Sequence, residues 1–176
     1  LLAVNKPRGV LCSTDDRWGD TTIDAFLKYP KRVFPIGRLD KDSEGLLLMT
    51  NHGDILNKIM RAGNYHEKEY EVEIDRPVTE KFIRKMQQGV WLKELEQMTR
   101  PCEVKKIGEK KFSIILTQGL NRQIRRMCKT CGCKVLRLKR VRIMNITLGN
   151  LKTGEYREVT DAEIEELYER IKESRS

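Results

Sequence analysis

At 176 residues, with 39% hydrophobic and 35% charged side chains, the chain is long enough for one substantial core and can fold without disulfides. No apolar run approaches the ~18–20 residues of a membrane span, and the amino terminus lacks a signal-peptide layout, so a soluble cytoplasmic protein is expected. The net charge of +9 is concentrated: residues 120–143 carry nine Lys or Arg and no acid, leaving 26 basic and 26 acidic residues elsewhere. A one-sign segment of that kind favours a polyanion, most often nucleic acid, over a mixed solvated surface.

Taken in chain order, residues 1–12 read as a strand broken by a turn at Lys6-Pro7-Arg8-Gly9. Thr21 or Thr22 is placed to cap a short helix bearing Ile23, Phe26 and Leu27. The loop from Pro35 to Gly45 leads into the apolar run Leu46-Leu47-Leu48-Met49, short enough for a buried strand, and Asp54 opens a helix closed by Gly63. From Tyr70 the period becomes two: Tyr70, Val72 and Ile74 alternate with Glu71, Glu73 and Asp75.

Thr79 caps the next helix, which stops near Gly89, and strand-like pieces follow at 102–104 and 112–116. Asn121 is then the expected cap of a helix on which Ile124, Met127, Cys128 and Cys131 form one stripe at 100° per residue. Arg122, Arg125, Arg126 and Lys129 form the opposite, outward one. Residues 135–148 read as strand with a bulge near Lys139-Arg140, and Thr160 with Glu163 forms a capping box opening the last helix. Strands and helices intermix without a regular alternation, which predicts an α+β fold on a mixed, mostly antiparallel central sheet with flanking helices.

Composition alone cannot select one carboxylate among 26. Several signatures occur together and in order: Asn5-Lys6-Pro7-Arg8-Gly9, Gly37-Arg38-Leu39-Asp40, Lys68-Glu69-Tyr70, and Gly119-Leu120-Asn121-Arg122-Gln123-Ile124-Arg125-Arg126-Met127. In this combination the chain resembles the RNA pseudouridine synthases, and the last motif has the form of the RsuA-type group of ribosomal RNA enzymes. Arg61-Ala62-Gly63-Asn64, His66 to Tyr70, and Arg142-Ile143-Met144-Asn145 look closest to the RluF type within that group. The likeness runs from about Leu2 to Leu167. The group's usual amino-terminal S4 domain has no counterpart here, so one catalytic domain over 1–176 is expected.

The resemblance implies isomerisation of uridine in ribosomal RNA, of the large subunit on the RluF likeness, with no cofactor or metal; a monomer is expected. It implies Asp40 as the reacting carboxylate, Arg125 as its ion-pair partner, and Tyr70 as an aromatic face for the base. Arg38 is implied to fill the space a flipped base leaves. Lys6, Asn121, Arg122, Gln123, Arg126, Lys129, Lys139, Arg140 and Arg142 complete the expected RNA contacts.

Without the motifs, Tyr70 reads as a core strand residue and Arg125 as a phosphate contact. Asp40, Asp42 and Glu44 begin like a calcium loop, but Asn51 stands where the terminal Glu belongs, so Asp42 and Glu44 are expected as solvated or structural loop acids. Cys128, Cys131 and Cys133 are expected as structural thiols rather than a zinc or redox site, and Trp18 and Trp91 as loop anchors or stacking platforms. A non-catalytic ribosomal RNA-binding module is the rival reading; a glycosidase leaves the basic segment without a role.

Overall fold

A computed structural model describes residues 1–13, 19–61 and 66–174. The elements are β1 (Leu2–Lys6), α1 (Ile23–Leu27), β2 (Phe34–Ile36), β3 (Glu44–Thr50), α2 (Gly53–Arg61), β4 (Lys68–Ile74), α3 (Glu80–Gln88), β5 (Trp91–Leu92), β6 (Gln97–Met98), β7 (Glu103–Gly108), β8 (Lys111–Leu116), α4 (Gln123–Thr130), β9 (Val135–Ile143), β10 (Ile146–Thr147), β11 (Tyr156–Glu158) and α5 (Asp161–Ser174). Trp18, and the Ala62-Gly63-Asn64 part of the RluF-like motif with its helix stop, lie outside the described residues.

The main sheet runs β11-β1-β3-β9-β4-β8-β7, with β2 added to β3 and β10 to β9. Its pairs are antiparallel except β3 with β9, which is the mixed, mostly antiparallel α+β arrangement expected. β3 is buried along its whole length, as an apolar run covered on both faces must be. Leu46 and Leu48 pack with α2, α5 and β10 residues, while Leu47 and Met49 pack with β1 and α1. A third cluster fills the space between β4, β8, β9 and the helices α3 and α4.

Local sequence explains most boundaries. Thr79 Oγ1 accepts from Phe82 N at 3.1 Å, and the Thr160/Glu163 box closes both ways, at 3.0 and 3.2 Å. Thr22 precedes α1 without a side-chain cap bond. At α4 the expectation fails: the cap is Arg122 in the left-handed region (φ 50°), not Asn121. Gln123 Oε1 instead accepts from Leu120 N at 3.2 Å, and Asn121 Oδ1 accepts from Arg126 Nη2 at 2.9 Å. β9 does bulge. Tyr70 pairs with Arg140 and Glu69 with Arg142, so Val141 is the extra residue, one position beyond the expected pair, and Leu136 is a second.

Candidate active site

The loop of residues 37–43 joins β2 to β3 and carries Asp40, half-exposed, at the rim of a depression of about 460 Å³ lined in part by Cys12, Ser13, Arg38, Asp42 and Arg122. Two buried cations fix this loop from below. Lys6 has no exposed surface, and its ammonium donates to the carbonyls of Pro7 (2.9 Å), Val10 (2.7 Å) and Lys41 (3.4 Å). Gly9 N also donates to Lys41 O at 2.7 Å, so the Lys-Pro turn grips the chain one residue past Asp40. Burial pulls the Lys6 ammonium down to about 8, against the raising influence of Cys12, Asp42, Asp40 and Glu44.

Arg140, 3% exposed, reaches from β9 to both sides of the same loop. Its Nε donates to Leu46 O at 2.8 Å and its Nη1 to Arg38 O at 3.3 Å. Lys6 and Gln123 (4% exposed), expected as RNA contacts, turn their polar ends to the protein interior, Gln123 bonding to Leu120 N and Gln118. Arg140, expected as another, is buried with two of its three guanidinium nitrogens bonded to the carbonyls flanking the loop.

The first turn of α4 faces the loop. Arg122 binds Asp42 through both carboxylate oxygens (3.0 and 2.8 Å) and comes within 3.5 Å of Asp40 Oδ2. Arg125 was expected to pair with Asp40. It instead donates through Nη2 to Asp42 O (3.0 Å) and Ser43 Oγ (3.4 Å), and its Nε lies 3.6 Å from Asp42 Oδ2. The difference follows from helix geometry: Arg122 stands at the exposed helix start, whereas Arg125, 14% exposed at its side chain, is packed one turn deeper. Asp42 is thus the acid joining α4 to the loop, and the Arg122 hydrogen bonds hold its carboxyl below the usual carboxylate range. Glu44 is structural as well, accepting from Arg137 Nε at 2.7 Å.

Tyr70 and Arg125 do not line the depression itself. Tyr70 is half-buried on β4, packed on the cluster beneath α4 and in register with Arg140. The loop therefore has α4 on one flank and is reached by Arg140 of β9 on the other. Lys68, quoted in the motif but absent from the expected site residues, shares the Tyr70 face by its two-residue spacing. A methyl on Gly119 would sit 3.8 Å from its ammonium. Burial, then the positive charge of Arg140, lowers Lys68 to about 8.

Of the remaining expected contacts, Arg38, Asn121, Arg122 and Lys129 are exposed, and Lys139 is half-buried. Arg126 is tied to Asn121 O at 2.9 Å, and Arg142 to Glu69 at 3.1 Å and Met144 O at 2.7 Å. Cys128 and Cys133 are buried and form no disulfide, and Cys133 Sγ donates to Cys128 O at 3.4 Å. Trp91 is 54% exposed and anchors nothing in the core.

A carboxylate on a clamped loop, facing the arginine-rich start of a helix, here sits on a fold shared with a solved pseudouridylate synthase. A family model described as RNA pseudouridylate synthase matches residues 1–130, and the chain belongs to that family. It is 53% identical over 176 residues to the dual-specificity RNA pseudouridine synthase RluF of Escherichia coli (strain K12), covering all of this chain and 60% of that protein. It is 35% identical over 167 residues to the ribosomal large subunit pseudouridine synthase B of Bacillus subtilis (strain 168), covering 92% of this chain and 68% of that one. A solved structure titled "Crystal structure of pseudouridylate synthase" superposes with a TM-score of 0.86 at 33% identity, covering 94% of this chain and 72% of that one. The chain spans about 60% of the length of the RluF relatives it matches.

Proposed function

We propose that this protein converts specific uridines of ribosomal RNA, of the large subunit in particular, into pseudouridine, acting in the cytoplasm as a monomer. The carrying observation is the placement of Asp40: a half-exposed carboxylate on a loop fixed by Lys6 and Arg140, with Arg122 3.5 Å away at the start of the basic helix. Arg122 offsets part of the cost of bringing Asp40 against a bound nucleoside and orients it.

The isomerisation breaks N1–C1′, turns the base and rejoins it through C5, so no electrons are gained or lost. Asp40 either bonds C1′ or removes a proton from C2′; Tyr70 offers its ring to the detached base, and its hydroxyl is suited to handling the C5 proton. Extruding a base costs a few kcal/mol, least in loops and bulges, which favours a structured, unpaired uridine as target. Arg38, exposed two residues before Asp40, is suited to fill the gap left in the RNA. The exposed basic residues Arg122 and Lys129 supply phosphate contacts.

The test is pseudouridine mapping on unmodified large-subunit RNA with wild type and Asp40→Asn. Wild type is expected to form pseudouridine and the variant none, while both bind RNA. Equal product from both, or none from RNA-bound wild type, refutes the proposal; the latter favours a binding module.

A further inference from the structure

Charge conservation in the proposed reaction points to a second cationic position in the cleft. When N1–C1′ breaks, the bonding pair stays on N1. In one route Asp40 becomes an ester with C1′; in the other it takes the C2′ proton. Either way Asp40 ends neutral and the detached uracil bears the negative charge, delocalised onto its carbonyl oxygens. The charge leaves the Arg122 side of the cleft for wherever the ring lies, and a water-poor site stabilises it only with donors already in place there.

Two cations neighbour Tyr70 on the sheet, the residue that the reading assigns to the base. Arg140 is the register partner of Tyr70; its Nη2 is buried and, among the described residues, has no hydrogen-bond partner, although Nε and Nη1 are both used. Lys68 lies two residues from Tyr70 on the same face of β4, its ammonium next to Gly119 at the loop that leads into α4. Among the described residues no acid pairs with Lys68, and the neighbouring Arg140 opposes its charge. Two unneutralised cations close together, one with a buried free donor, cost stability unless an anion joins them.

We propose that Lys68 and Arg140 receive the charge displaced from Asp40, donating to the carbonyl oxygens of the detached uracil while its ring lies on Tyr70. This rests on the reading of Asp40 as the reacting carboxylate. Arg140 also clamps the loop, so Lys68 gives the cleaner test.

Single-turnover consumption of the target nucleoside is measured at saturating protein, with uridine and with 5-fluorouridine at the modified position of the same RNA. Fluorine makes the uracil anion a weaker base, less dependent on outside stabilisation. Lys68→Met is expected to slow uridine consumption about 100-fold with RNA affinity little changed. The penalty should shrink to about tenfold or less with 5-fluorouridine, and Lys68→Arg should recover most of the rate. A Lys68→Met penalty equal for the two bases, or none, overturns the inference and leaves the Asp40 reading standing. Wild type that consumes neither base removes both.

Discussion

Gly45 is where the loop bearing Asp40 meets β9, and its replacement by alanine tests that junction. Its φ is +108°, and an added Cβ would lie 2.2 Å from Arg140 O and 2.7 Å from Arg140 N. These are backbone atoms and cannot turn aside as a side chain would. The unfavourable φ costs about 1–2 kcal/mol and the forced displacement about 1–3 kcal/mol more, giving roughly 3 kcal/mol. For a chain of this size each kcal/mol moves the melting temperature by about 2–4 °C, so a fall of about 6–12 °C is expected. Gly132→Ala is the control, because Gly132 also has a positive φ (+87°) but nothing within 4 Å of the added methyl. It should lose only the conformational part, about 1–2 kcal/mol. Thermal unfolding followed by circular dichroism compares the two; equal losses would refute the claim that Arg140's backbone forbids a side chain at Gly45.

Glu163 accepts from Arg157 through both oxygens (2.8 and 2.9 Å) and from Thr160 N (3.0 Å), contacts that lower its carboxyl to about 2 from 4.5. A depressed carboxyl contributes stability that is full above 4.5 and lost as pH falls through about 2. Glu163→Gln should therefore cost about 1 kcal/mol in urea unfolding at neutral pH. The gap from wild type should close on acidification; a gap independent of pH would contradict the assignment. Lys129→Gln removes a largely exposed charge whose nearest acid is Glu94, 3.8 Å away. If that lysine meets a phosphate, the slope of log K against log salt for RNA binding should fall by about 1, and an unchanged slope would exclude the contact.

What was legible in the sequence was mostly local. The apolar stripe of α4 is visible in the spacing of Ile124, Met127 and Cys128, all buried, and the Thr79 and Thr160 caps sit at their helix starts. Period two identified β4, and the broken period of β9 indicated a bulge, displaced by one residue because Val141 rather than Arg140 steps out of register. Burial of charge was not legible. Lys6 and Arg140 read as surface cations because their type is nearly always exposed, and only the folded chain supplies the carbonyls of Pro7, Val10, Leu46 and Arg38 that accept their protons. Motif resemblance selected Asp40 and brought α4 to its loop. It did not distinguish Arg122 from Arg125 as the nearer guanidinium, a choice that turns on one helical turn. The β3–β9 pairing, between residues 44–45 and 139–140, joins segments too distant in the chain for any local pattern to signal.

That pairing consists of two registered residue pairs, Glu44 with Lys139 and Gly45 with Arg140, whereas β1 with β3 has five and β4 with β8 six. The sheet is thus two broad panels stitched along a short seam. Asp40 hangs from one panel, and Tyr70 belongs to the other. The spacing of these two groups, proposed to act on one base, therefore depends on how the panels meet at that seam, and Arg140, reaching from β9 to both sides of the Asp40 loop, is the side chain that holds it.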